Sequence, residues 1–203
     1  MKDSKMIRYS EVAINGEIIE LKANMQSCLG PNAIFSQCHI TLPKSAKNLI
    51  VTESTFENCS FVSPNSFVNF QGWCNAKLAH CKFIGQFVGN DFGNWPDIKS
   101  KGTISDCDFT DALLDGCRFM SCSPSRIVFP LWPCFTIMQP TKRAGEFANI
   151  RMPGKLGIWA DGLSWSPECV VAETNYAPKI AKQFSTTIDD IKLILQQLNN
   201  VVF

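Results

Sequence analysis

Few side chains in this 203-residue chain could do chemistry: five aspartates close in sequence, two histidines and ten cysteines. Asp91, Asp106, Asp108, Asp111 and Asp115 are the only acidic cluster, and paired carboxylates of this kind could serve as general acid and base on a polysaccharide. Polar outward or corner positions of a repeating fold account for the same aspartates without catalysis. His80 adjoins Cys81, but successive strand residues point to opposite faces, so an inward Cys81 leaves His80 outside and no Cys–His dyad forms. The cysteines show no Cys-x-x-Cys spacing and give no zinc or disulfide framework. Phosphate loops, His-Glu-x-x-His and Gly-x-Ser-x-Gly are absent from the sequence. The expectation is a protein that is not an enzyme and has no cofactor or metal.

What must position these residues is visible in a step of five. Val51, Phe56 and Phe61 form one register, Val68, Trp73, Leu78, Phe83 and Val88 a second, and Ile104, Phe109, Leu114 and Phe119 a third. Cys-x-large recurs at Cys38–Ile40, Cys59–Phe61, Cys81–Phe83, Cys107–Phe109 and Cys117–Phe119. Five matches neither the period of a helix nor that of a flat strand; it suits a chain that turns a corner every five residues. A longer step of 22 links Ile34, Phe56 and Leu78, then Phe61 and Phe83, Phe87 and Phe109, and Phe92 and Leu114. Such a period marks a solenoid whose units bury their apolar faces on one another. Cysteines two positions before the large residue then read as small, buried, reduced thiols.

On these residues, most clearly 54–61, 76–83 and 107–119, the chain resembles the pentapeptide-repeat family. The resemblance covers about 29–122 and implies an all-β, right-handed parallel β-helix of about four coils, roughly square in section. Asp or Asn before the central residue, common in that family, occurs here only at Asp91 and Asp108. With the break near 93–103, this leaves a three-sided coil open as a competing geometry.

The flanks read as additions to one compact domain. Ile7, Val12 and Ile14 before Asn15-Gly16, with Ile18, Ile19 and Leu21 after, predict an N-terminal hairpin cap within 1–28. The stretch 123–184 holds seven of the eleven prolines and Trp132, Trp159 and Trp165, which predicts a loop-rich but ordered wrap without a central strand or long helix. Ile188, Ile191, Leu195 and Leu198 predict a helix in 185–203, with an N-cap offered by Ser185-Thr186-Thr187.

Function is approached by exclusion. Net charge is +1, with no global field to attract nucleic acid or an anionic membrane. Met1–Lys5 carry no apolar leader and no apolar run is long enough to span a bilayer, so the expectation is cytoplasmic. A non-catalytic protein-binding solenoid fits best, most concretely an immunity protein that neutralises a toxin. Trp95, Trp132, Trp159 and Trp165 lie outside the five-residue register and, with Arg143 and Arg151, are the candidate partner-binding residues, since these types dominate binding hot spots. The family resemblance also implies an alternative, a mimic of duplex DNA that protects a topoisomerase. Against it, 29–122 carries eight acidic and seven basic side chains, a near-neutral balance. The third reading is the carbohydrate-active enzyme built on the aspartates.

Overall fold

The computed structural model describes residues 6–96 and 101–203. Asp97 and Lys99, counted in the charge balance above, and Met1–Lys5 lie outside the described residues. Fourteen of the segments follow a coil. Strands β1 (Ile7–Tyr9), β4 (Ser27–Leu29) and β7 (Leu49–Val51) form one parallel ladder. A second ladder runs β2 (Ala13–Asn15), β5 (Ile34–Ser36), β8 (Ser54–Glu57), β10 (Ala76–Ala79) and β13 (Thr103–Ser105). The third runs β3 (Ile18–Glu20), β6 (His39–Thr41), β9 (Ser60–Val68), β11 (Lys82–Val88) and β14 (Ala112–Asp115). The remaining coil strand, β12 (Asp91–Gly93), belongs to a fourth sheet. The result is an all-β parallel β-helix, with four coils between 27 and 120 and one before them.

Corners explain both the step and one misreading. Gly16, Gln37, Asn58, His80 and Asp106 all have positive φ and all precede the start of the next face. Each of the last four is followed by a buried cysteine whose thiol donates to the carbonyl two residues earlier, as Cys59 does to Glu57 at 3.4 Å. The predicted N-terminal hairpin is therefore corrected. β2 and β3 do not pair with each other; they pair in parallel with β5 and β6, and 7–21 is the first coil. Asn-Gly signals a left-handed residue, and a hairpin turn and a coil corner need that residue equally.

Inside, rings stack at the strand spacing. Phe35 lies on Phe56 at 4.9 Å, Phe61 on Phe83 at 5.0 Å, Phe83 on Phe109 at 4.6 Å and Phe92 on Phe119 at 5.1 Å, all close to parallel. Neighbouring columns meet edge to face, as between Phe56 and Phe61 at 5.1 Å. Trp73 sits within this core, fully buried. The register departs from expectation at three places. Phe35, not Ile34, faces inward beneath Phe56, and the buried residues of the third face are Phe67 and Phe87, not Val68 and Val88. The segment before β13 lengthens one coil, so Phe87 pairs with Leu114 and Phe92 with Phe119, not with residues 22 further on. At Gly85 β11 bends: its φ is +102°, and a Cβ there would lie 2.4 Å from the Ser63 carbonyl oxygen.

Beyond the coil the wrap is more regular than the prolines suggest. β15 (Cys117–Met120) pairs in parallel with β12 and antiparallel with β17 (Val170–Tyr176), which pairs with β16 (Cys134–Met138), and this with β18 (Val201–Val202). Pro133 and Pro140 bracket β16, and Pro167 and Pro178 flank β17, so the prolines mark strand ends while β17 and β16 occupy the sheet's interior. Helices α1 (Pro140–Arg143), α2 (Leu156–Gly162), α3 (Ala177–Gln183) and α4 (Ile188–Leu195) cover this sheet over a second core that includes Phe135, Leu156, Ile180 and Ile191. α4 has its capping box, Thr187 with Asp190. Two clasps hold the cap to the coil: the buried Asp115 carboxylate accepts from the Tyr176 N–H at 3.3 Å and pairs with Lys179, and the Cys134 thiol donates to the Leu114 carbonyl at 3.5 Å.

The inward register gives a direct test. Phe83→Ala and Phe67→Ala should each lower unfolding free energy by about 3–5 kcal/mol, and Val68→Ala by no more than about 0.5 kcal/mol. Denaturant titration of the three variants measures this; equal losses at Phe67 and Val68 would contradict the register.

Candidate functional site

The five aspartates are distributed among bases. Arg118 donates twice to Asp91 at 2.8 and 2.9 Å. Arg126 pairs with Asp106, which also has His80 at 3.9 Å. Lys82 spans Asp108 at 3.6 Å and Asp111 at 2.6 Å, and Asp111 holds the ammonium's pKa above its ordinary value. With Asp115 on Lys179, every member of the cluster has a cationic partner. These contacts suit cross-coil ties better than an acid–base pair in a cleft. Among the described residues, no three His, Cys, Asp or Glu side chains are placed to hold a metal ion.

All ten cysteines are free. Burial pushes Cys59, Cys74 and Cys117 up to about 12 from the ordinary 9.0, and Cys122 up to about 11. A hydrogen bond with Cys107, then burial, pushes Cys81 up as well. The thiolate is the reactive form, so Cys59, Cys74, Cys81 and Cys117 are doubly inert at neutral pH, covered and protonated, while the half-buried Cys122 is protonated only.

The candidate partner-binding residues separate into kinds. Trp95 is half-buried, with the Arg118 guanidinium 5.0 Å above its ring. Trp132 packs 6.5 Å from Phe135 and 6.2 Å from Phe203, and Lys192 lies 5.2 Å over its face. Trp159 meets Phe135 and Phe147 edge to face at 5.8 and 5.7 Å. These last two indoles pack against the core of the cap. Arg143 is mostly covered and pairs with Glu146. Arg151 is exposed beside a shallow groove of about 520 Å³ that also involves Asp190, Leu193 and Gln197. Trp165 stands apart at 86 % exposed.

Trp165 has company that the sequence reading missed. α2 continues through Gly162 in helical conformation into a single 3-10 turn, Leu163–Trp165. On this continuous helix Leu156, Ala160 and Leu163 form the buried stripe, at helical spacing. Ile158, 63 % exposed, and Trp165 are seven apart and share another side of the helix, facing water. Leu131 and Leu193 are exposed as well. The two apolar stripes of 156–165 were readable as a helix with more apolar surface than one core contact requires.

Comparison with known proteins adds little to this geometry. No protein-family model matches the chain, and no curated protein does so. Among solved structures it is similar to the trypsin-treated plasmid-mediated fluoroquinolone resistance protein QnrB1, at 10% identity over 62% of this chain and 79% of that one, with a TM-score of 0.21. So loose a superposition bears on neither architecture nor activity. The described helices include none long and apolar enough to cross a membrane.

The thiols supply a test with a defined sign. A thiol whose pKa is higher folded than unfolded contributes stability that is complete below the unfolded value and is lost as pH rises through the folded one. Stability should therefore fall between pH 9.0 and about 12. In the native state Cys59, Cys81, Cys107 and Cys117 should resist alkylation. Mass spectrometry of labelled protein checks this, and rapid native labelling at those four positions would contradict it.

Proposed function

We propose that this protein is a non-catalytic binding module in which a rigid coil presents the cap, and that one protein partner docks on the stripe formed by Ile158 and Trp165. The supporting observation is the second apolar stripe of a helix that has already buried its first. An exposed indole and an isoleucine two turns apart on one side of a helix offer two rigid apolar anchors at small entropic cost, the character of a hot spot. Trp159, on the same helix, packs inward on Phe135 and Phe147 and anchors it. The concrete form we favour is an immunity protein that neutralises a protein toxin.

The duplex-mimicking reading remains the second one, because the coil is the scaffold it requires. Its weakness is electrostatic. Mimicry of a phosphate backbone needs unbalanced negative charge, and all five clustered aspartates have cations beside them.

Capture of a stoichiometric partner from the native host, followed by substitution, tests the proposal. Trp165→Ala and Ile158→Ala should weaken partner affinity, Trp165→Ala by about 2 kcal/mol or more, with thermal stability unchanged. Trp159→Ala should lower thermal stability. Affinity should depend weakly on salt, since the net charge is +1. If the captured partner is a topoisomerase and binding collapses with added salt, the second reading replaces the first.

A further inference from the structure

Among the described residues, the coil is sealed at one end only. Its last turn runs into the antiparallel strands β17, β16 and β18, whereas β1, β2 and β3 are the terminal strands of their ladders. The inward residues there are less covered than those stacked on them: Tyr9 and Ile14 are half-buried, while Leu29 and Phe35 have no exposure. Ile18, on β3, is 75 % exposed. Backbone groups are left over too. Tyr9, Val12 and Glu17 accept from the second coil, and Ile7, Gly16 and Leu21 donate to it. The residues between, Arg8, Ala13, Asn15, Ile18 and Glu20, aim their N–H and C=O groups away from that coil, as at any open sheet edge.

We propose that this end binds the same end of a second copy, by antiparallel pairing about a two-fold axis through Ile14 and perpendicular to the coil. The first coil is symmetric about that point. Tyr9 and Ile19, both inward, each lie five residues from Ile14, so each meets the other across the joint and the interior columns continue. Ala13 and Asn15, whose backbone groups are free, fall opposite one another. Arg8 and Glu20, six residues from Ile14 in either direction and both outward, form a cross-strand ion pair twice. Ile18 meets Ser10 and loses part of its exposure. One contact is unfavourable: Glu11 faces Glu17 at each corner. An isologous joint of this kind closes after two subunits and leaves no open edge at this end.

The test is the mass in solution of the purified full-length chain, by light scattering across a dilution series. The expected species is a dimer, about twice the 22.6 kDa of one chain. Arg8→Glu should raise the dimer dissociation constant about tenfold, as one or two charge pairs would, and adding Glu20→Arg should restore it. Ile18→Lys, a change at an exposed position that leaves the coil intact, should give monomer, because an edge lysine blocks strand addition. Glu17→Lys should tighten the dimer. Circular dichroism confirms that each variant is folded; should Arg8→Glu misfold, Ile18→Lys decides the surface and Glu17→Lys the register. A monomer throughout the series overturns the proposal. So does a dimer indifferent to Ile18→Lys, or one that the double charge reversal fails to rescue.

Discussion

Everything in this molecule depends on the match between two distances. Parallel strands joined by backbone hydrogen bonds stand roughly 4.8 Å apart, and a ring laid flat on another ring needs nearly the same separation. A phenylalanine at the centre of a face therefore stacks on the phenylalanine of the next coil without adjustment of either the ladder or the ring, as Phe83 does on Phe109 at 4.6 Å. The same spacing admits aliphatic side chains, since Leu78 and Ile104 continue the column of Phe56 and are buried. The corners follow from the same constraint. To keep one large residue per face directly over its predecessor, the chain must turn within five residues, and a left-handed residue followed by a small one is the way L-amino acids manage it.

Salt ties and thiols take the places left to them by that geometry. Cysteine fills the inner corner because it is small enough to sit beneath the turn and can donate weakly to the carbonyl behind it. Asp108 and Asp111 sit at outer positions where a neighbouring coil offers Lys82, while Asp91 and Asp115 are buried under their partners Arg118 and Lys179. Both groups would read as chemical machinery if their positions in the coil were ignored. In place, the first is packing and the second stitches one coil to the next.

The five-residue step made the coil legible, and the cysteines with it, because a regular fold writes its period into the chain. What was not legible had specific reasons. Asn15-Gly16 reports a left-handed residue and nothing about which partner strand is used. Val68 and Val88 sit next to Phe67 and Phe87, so two apolar residues compete for one inward position; the structure turns inward the one that stacks. In the cap, Pro133, Pro140, Pro167 and Pro178 were counted by number and not by place; they bracket strands and interrupt none. Of the candidate surface residues, Trp132 and Trp159 carry no local sign of their packing, since the phenylalanines they touch, Phe135, Phe147 and Phe203, are dispersed along the chain. Ile158 is in sequence one more aliphatic residue beside Leu156 and Leu163, and only the rotation of the helix turns it outward.

The cap that seals the coil is also the last of it to be made. During synthesis the five coils emerge first, and each can settle on its predecessor through contacts spanning little more than twenty residues, a short loop to close. The final turn is met first by 127–129, where Val128 bridges Asp108 and Phe129 packs on Phe119, but β15 gains its strand partner only when β17, some fifty residues later, returns to lie against it. For the time the ribosome takes to add that stretch, the short segment 127–129 is all that covers this end of the coil. The interval is one in which a chaperone, or another nascent chain, meets an open apolar end that the finished protein never shows.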